Sequence, residues 1–181
     1  MASLDEESDW VCRSRQGDHE AFEALIRRYQ HMIHALTFRM TGSMADAEDV
    51  AQETFILAFR QLDGFRAEAR FSSWLYRIAV NLCLNFRTRQ QRREKLHADW
   101  SQHAEISGGT EDKRTRLVQE ALMKLNPKQR AAVILTTYDG LNHAEAARVL
   151  GCSETTVSWR LFAARAKLKR LLAGAQGKEA A

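Results

Sequence analysis

The sequence predicts an all-α protein made of two small helical domains joined by a flexible linker. Three observations carry that expectation. One proline and nine glycines in 181 residues are fewer than globular chains usually hold, which favours long helices over strands. Apolar side chains recur at three- and four-residue steps along most of the chain, the period of one helix face. Between residues 95 and 113 that period lapses into a stretch containing Gly108, Gly109, Ser, Thr and His, the composition of a linker.

Composition narrows the class further. An apolar share of 45% is enough to bury cores and excludes a disordered chain. No run approaches the roughly 20 apolar residues that cross a bilayer, so no membrane span is expected. The opening MASLDEESDW is acidic, whereas a secretory signal starts basic and turns apolar, so the expected location is cytoplasmic. Cys12, Cys83 and Cys152 are odd in number and far apart, which predicts free thiols rather than a disulfide framework or a zinc knuckle. His31, His34, His97 and His103 have no third ligand at useful spacing, so neither a metal nor another cofactor is expected.

The first sustained period spans residues 18–41, where Phe22, Leu25, Ile26, Tyr29, Met32, Ile33, Leu36 and Met40 line one face. Thr41, Gly42 and Ser43 break it, and Ser43 suits the cap of a second helix whose first turn carries Asp46 and Glu48. In that helix Ala47, Val50, Ala51, Thr54, Ala58 and Leu62 point inward, while Asp46, Asp49 and Glu53 share one outward stripe. Paired carboxylates can serve catalysis, but catalysis needs burial or a convergent base to shift a pKa. None is spelled out, leaving a solvated face or a docking stripe for a basic partner.

Residues 63–73, DGFRAEARFSS, read as a loop with two arginines and two aromatics. A third helix follows, with Phe71, Trp74, Leu75, Ile78, Ala79, Leu82, Cys83 and Phe86 inward and Arg77, Asn81 and Asn85 along another face. Asparagine is a mediocre helix former, so two in register need a reason. Asn and Arg present paired donors and acceptors suited to base edges, and the arginines that follow suit phosphates. The loop aromatics could stack on an extruded base, as single-strand readers do; alternatively they are core, and Trp74 is assigned to the core.

Charge alternates along the chain. Residues 1–63 carry a net −6, 64–95 a net +6, 96–112 a net −4 and 113–181 a net +8, for +4 in all. Two basic blocks separated by an acidic spacer predict two contacts with a polyanion, since clustered Lys and Arg release counterions from phosphates. The acidic front end calls for a different partner.

After the linker, Leu117, Val118, Ala121, Leu122 and Leu125 make a short helix. Asn126 caps the next, with Pro127 in its first turn, and Asp139-Gly140 closes it. In NHAEAARVLGCSETTVSWRLFAARAKLKRLL, Asn142 caps a helix ending at Leu150. Gly151 supplies the turn, and Ser153 caps a long basic helix with Val157, Leu161, Ala164, Leu168 and Leu171 inward. Two helices joined by a glycine turn, the second basic, form a helix-turn-helix pattern. Its outward residues Thr155, Thr156, Ser158, Trp159 and Phe162 would face the major groove, with Arg160 and Arg165 near phosphates. A purely scaffolding hairpin is the bland alternative.

Taken together these stretches resemble the extracytoplasmic-function (ECF) group of bacterial RNA polymerase sigma factors, within the sigma-70 family. The resemblance covers roughly residues 18–172. It rests on DAEDVAQETFILAFRQL at 46–62, similar to the core-polymerase-binding segment, and FRAEARFSSWLYRIAVNLCLNFRTRQQRR at 65–93, similar to the segment that opens and reads the minus-10 element. LNPKQRAAVILTTYDGLNHAEAARVLGCSETTV at 125–157 is similar to the minus-35-binding domain.

The resemblance implies sigma region 2 over residues 1–94, a linker over 95–113, and sigma region 4 over 114–181. It implies that Asp46, Asp49, Gln52 and Glu53 dock on the clamp helices of the polymerase large subunit, with a further contact at its flap. Phe65, Arg66, Arg70, Phe71, Arg77, Asn81, Asn85 and Arg87 would contact minus-10 DNA. Thr155, Thr156, Ser158, Trp159, Arg160, Phe162 and Arg165 would contact the minus-35 element. A cognate anti-sigma factor is a further implied partner. Members often carry a basic, a small and another basic side chain where this sequence has Ser158, Trp159 and Ala163. The expected function is promoter-specific initiation without catalysis. A stand-alone helix-turn-helix repressor explains only the C-terminal half, and a decoy that sequesters an anti-sigma factor does not explain the two basic blocks.

Overall fold

The computed structural model describes residues 4–66, 70–96 and 113–177, and among them all regular structure is helical. The expected linker falls almost entirely on residues 97–112, outside the described residues.

Helix α1 (Leu4–Arg15) precedes α2 (His19–Thr41). The Asp18 side chain caps α2 by accepting from the Ala21 amide at 3.1 Å. It also accepts from the Arg13 guanidinium at 2.7 Å. The Ala21 bond and then the Arg13 bond hold its carboxyl below the usual range. Gly42 ends α2 at φ 84°, a left-handed conformation that glycine adopts without a Cβ penalty. Ser43 then caps α3 (Met44–Arg60), accepting from the Asp46 amide at 3.3 Å. A short 3-10 turn (Leu62–Gly64) leads toward α4 (Phe71–Leu96). The inward face expected for α3, from Ala47 to Leu62, is buried throughout.

The second half contains α5 (Lys113–Met123), α6 (Pro127–Val133), α7 (His143–Leu150) and α8 (Glu154–Gly177). Asn126 and Asn142 each form a reciprocal capping box, with Gln129 and Glu145 respectively. Between α6 and α7 the backbone widens into a π turn (Ile134–Tyr138).

Part of the acidic front end finds its partner within the chain. α1 packs on α2, and Glu7 is buried where it accepts from the Tyr29 hydroxyl. Burial and then the Glu7 bond push the Tyr29 hydroxyl up to about 12. The Arg28 guanidinium also approaches Glu7, at 3.5 Å. Arg15 donates to the Leu62 carbonyl at 3.2 Å and to the Phe65 carbonyl, bracing the turn that leads to α4.

The two halves meet through a shared apolar core. α4 lies against α6 and α7, and α2 against α5 and α6. α4 therefore buries two faces: the expected one, with Leu75, Ile78, Ala79 and Cys83, and a second with Tyr76 and Val80. At the contact, Gln119 of α5 donates to the Phe38 carbonyl of α2 at 3.1 Å. The Arg39 guanidinium lies 4.4 Å from the Tyr138 ring centroid, a cation–π distance. A Cβ on Gly42 would come within 2.8 Å of the Met123 sulfur, so the glycine that ends α2 also admits α5.

Candidate functional site

The outward side of α3 is the first candidate surface. Asp49, Gln52 and Glu53 are exposed and Asp46 is half-buried. Burial raises the Asp46 carboxyl, with the Ser43 bond opposing and the Asp49 charge reinforcing the shift. The sequence reading missed the apolar component of this surface. Ile56 follows Asp49, Gln52 and Glu53 on the same helical stripe and is 51% exposed, and Met44 at the helix start is 66% exposed. Acidic groups with an exposed aliphatic side chain on the same stripe suit a protein partner that offers basic and apolar contacts. The signal was available as an isoleucine one turn beyond the carboxylates.

The second surface lies on α4 and the turn before it. Arg77, Asn81 and Asn85 are all exposed along one line of the helix, and Arg66 and Arg70 are exposed at its approach. The Arg87 side chain and residues 67–69 lie outside the described residues. For Phe65 and Phe71, where stacking and core packing were both open, the structure shows core packing. They are 7% and 2% exposed and form an edge-on pair with centroids 5.5 Å apart. Trp74 joins that pair at 5.3 and 5.4 Å, and Tyr29 meets Phe71 at 5.6 Å. Rings packed edge to face in a core gain more from one another than from solvent. In this packing neither ring offers a free face to a base; they hold the α4 start in place while the arginines project.

The third surface is the helix-turn-helix. Gly151, at φ 59°, makes the turn, and the Ser153 hydroxyl accepts from the Thr156 amide at 3.1 Å to start α8. Val157, Leu161 and Ala164 are buried against the rest of the half. Thr155, Ser158, Trp159, Phe162 and Arg165 are exposed, with Thr156 and Arg160 half-buried. Arg160 turns back, its guanidinium 3.4 Å from the Cys152 sulfur, and the Ser158 hydroxyl meets His143 Nδ1 at 3.0 Å. These two side chains therefore tie the recognition-type helix to α7 and the turn.

Among the described residues no group of three or more His, Cys, Asp or Glu side chains is placed to hold a metal. Nor, among the described residues, is any helix long and apolar enough to cross a membrane. Cys83 is a buried thiol, pushed up to about 12 by desolvation, a state that suits packing and not nucleophilic chemistry.

Comparison with known proteins places the surfaces in a family. Residues 25–93 match the model for Sigma-70 region 2, and residues 115–168 match that for Sigma-70, region 4. The chain is 40% identical over 159 residues to the ECF RNA polymerase sigma factor SigM of Mycobacterium tuberculosis, covering 86% of this chain and 79% of that protein. It is similar to CnrH in its structure with the cytosolic domain of CnrY, with a TM-score of 0.70 and 29% identity over 93% of this chain and 98% of that one. The fold also resembles the sigma factor RpoE of Bartonella quintana, solved with the anti-sigma factor NepR, with a TM-score of 0.70, 24% identity and coverage of 83% and 96%. With both region models matched in order and a relative of that identity aligned over most of its length, the chain belongs to the sigma-70 family as an ECF sigma factor.

Proposed function

We propose that this chain binds core RNA polymerase, directs it to promoters with minus-10 and minus-35 elements, and helps open the upstream edge of the bubble. The observation that carries the reading is the separation of two exposed chemistries within the first half. α3 presents Asp49, Gln52, Glu53 and Ile56, which fit the clamp helices of the polymerase large subunit. α4 presents Arg77, Asn81 and Asn85, which fit a displaced DNA strand. Residues 1–94 act as region 2, 95–113 as the linker and 114–181 as region 4. The exposed face of α8 reads the minus-35 duplex, and the same half touches the polymerase flap. No bond is made or broken by the chain itself. Melting is driven by binding, because extruding a base costs a few kcal/mol that contacts to the released strand must return.

The place of action is the cytoplasm, where polymerase and chromosome are. An anti-sigma factor is the expected regulator, acting by covering these faces. The test is transcription from genomic fragments by purified chain and core polymerase, with the start points mapped. Defined starts that require the chain support the reading. Tight duplex binding with no transcript would favour a repressor, and neither activity would favour a decoy.

A further inference from the structure

The α8 surface contains a feature that a phosphate-gripping helix does not need. Trp159 and Phe162 are 67% and 69% exposed, with ring centroids 5.9 Å apart in an edge-on arrangement. They lie on one helical stripe with Thr155 and Ser158, at spacings of three and four residues. Scattered exposed apolar residues need no explanation, but two large aromatic rings touching in water form a patch that does.

The remaining chemistry of α8 identifies the occupant. Past Glu154, the helix through residue 173 contains Arg160, Arg165, Lys167, Lys169 and Arg170 and no acid, so its neighbour is a polyanion. Its turn toward α7 and its capped N-terminus give it the form of a helix that enters the major groove. Hydrogen-bond readout from this stripe is limited. Arg160 is drawn back to Cys152 and Ser158 is engaged with His143, and neither aromatic ring offers the paired donor and acceptor that reads guanine or adenine. The one apolar group on a base edge in the major groove is the thymine C5 methyl.

Resting on the proposed function above, we propose that Trp159 and Phe162 together read thymine methyl groups in the minus-35 element. Three residues on a helix advance roughly 4.5 Å along its axis, close to the roughly 3.4 Å between successive bases on one strand. The two rings therefore match methyls on neighbouring base pairs. Covering one methyl is worth about a 3- to 5-fold change in affinity, so two give about 10- to 20-fold.

The experiment uses the holoenzyme, chain plus core polymerase, on a promoter found by start-site mapping. Each minus-35 thymine is replaced in turn by deoxyuridine, which removes the methyl and keeps the base pair. The expected result is a 3- to 5-fold weaker complex at one or two adjacent positions, with Trp159→Ala insensitive at one and Phe162→Ala at the other. Both rings are exposed, so both variants should keep the wild-type melting profile and co-purify with core polymerase. A scan with no sensitive position overturns the inference while leaving the parent function standing. So does a Trp159→Ala defect that is equal on thymine and deoxyuridine templates, which would assign the ring to a protein contact or another DNA group. Failure of the wild-type chain to associate with core polymerase overturns both.

Discussion

Arg130, in α6, is fully buried, and its Nη1 donates to the carbonyl of Met40 in the last turn of α2 at 2.6 Å. The same guanidinium donates to the carbonyls of Leu122 at 2.7 Å, Met123 at 2.6 Å and Leu125 at 3.1 Å. Carbonyls at a helix C-terminus have no intrahelical donor, and α5 ends here, so one cation satisfies the end of α5 and pins it to α2. A planar fork with five donors does what no lysine can.

Arg130→Met should lower stability by about 3 kcal/mol or more, because several buried carbonyls lose a donor at once. Thermal unfolding followed by circular dichroism checks it. A melting point within a degree of wild type would show that water replaces the guanidinium at no cost.

The contact between the halves bears on promoter binding. A compact chain of this length has a radius of gyration of roughly 16 Å, whereas elements centred about 25 base pairs apart lie roughly 85 Å apart along the duplex. The packed arrangement cannot hold both elements, so the halves must part on the polymerase. Gln119→Ala with Tyr138→Ala, which removes the Phe38 and Arg39 contacts, should enlarge the free chain in small-angle scattering. A wild-type chain already extended in solution would defeat this expectation.

Asp139 should make the contact between the halves depend on pH. Desolvation pushes its carboxyl from 3.8 to about 6, with the Arg39 charge and then the Tyr76 hydroxyl pulling the other way. One of its oxygens, Oδ2, is buried without a hydrogen-bond partner. The packed state therefore holds the proton more tightly than the unfolded chain. Its stabilising effect is full below about pH 4 and is lost as pH rises through about 6. Asp139→Asn should be more stable than wild type at pH 7.5 and equal to it near pH 4, measured by urea unfolding at both. Parallel pH profiles for the two proteins would refute the assignment.

Asp49→Lys with Glu53→Lys should abolish co-purification with core polymerase and leave the melting curve unchanged, since both side chains are exposed. Ile56→Ser should weaken the same association several-fold, about what loss of a half-buried aliphatic contact costs. Undiminished co-purification of the double variant would remove α3 from the docking surface.

Asn81→Ala with Asn85→Ala should reduce open-complex formation about 30-fold or more, as two base-edge contacts at about 1–3 kcal/mol each require, while polymerase binding is retained. Permanganate reactivity of unpaired thymines reads the first and co-purification the second. Equal losses in both would make the asparagines structural.

Much of the fold was legible because helix signals are local. Gly42, Ser43, Asn126, Pro127, Asn142, Gly151 and Ser153 each mark a terminus where the structure has one. The buried face of α3 followed from spacing alone. α1 was not legible: LDEESDWVCRSR has few apolar residues, and its stabilising groups are Glu7 and Arg15, whose partners lie 22 and 50 residues away. The burial of Phe65 was illegible for a related reason, since a short aromatic loop gives no period by which to tell a stacking ring from a packed one.

By itself the sequence determined where helices start and stop, which stripe of each is apolar, and how charge divides between an acidic front end and two basic blocks. These depend on contacts within a turn or two of chain. Only the tertiary structure decided that α4 buries a second face, that Arg130 is an internal brace and not part of a DNA-binding surface, and that the halves pack together. Those outcomes depend on which groups distant segments withdraw from water, and the cost of desolvating a guanidinium or a carboxyl is set by partners far along the chain.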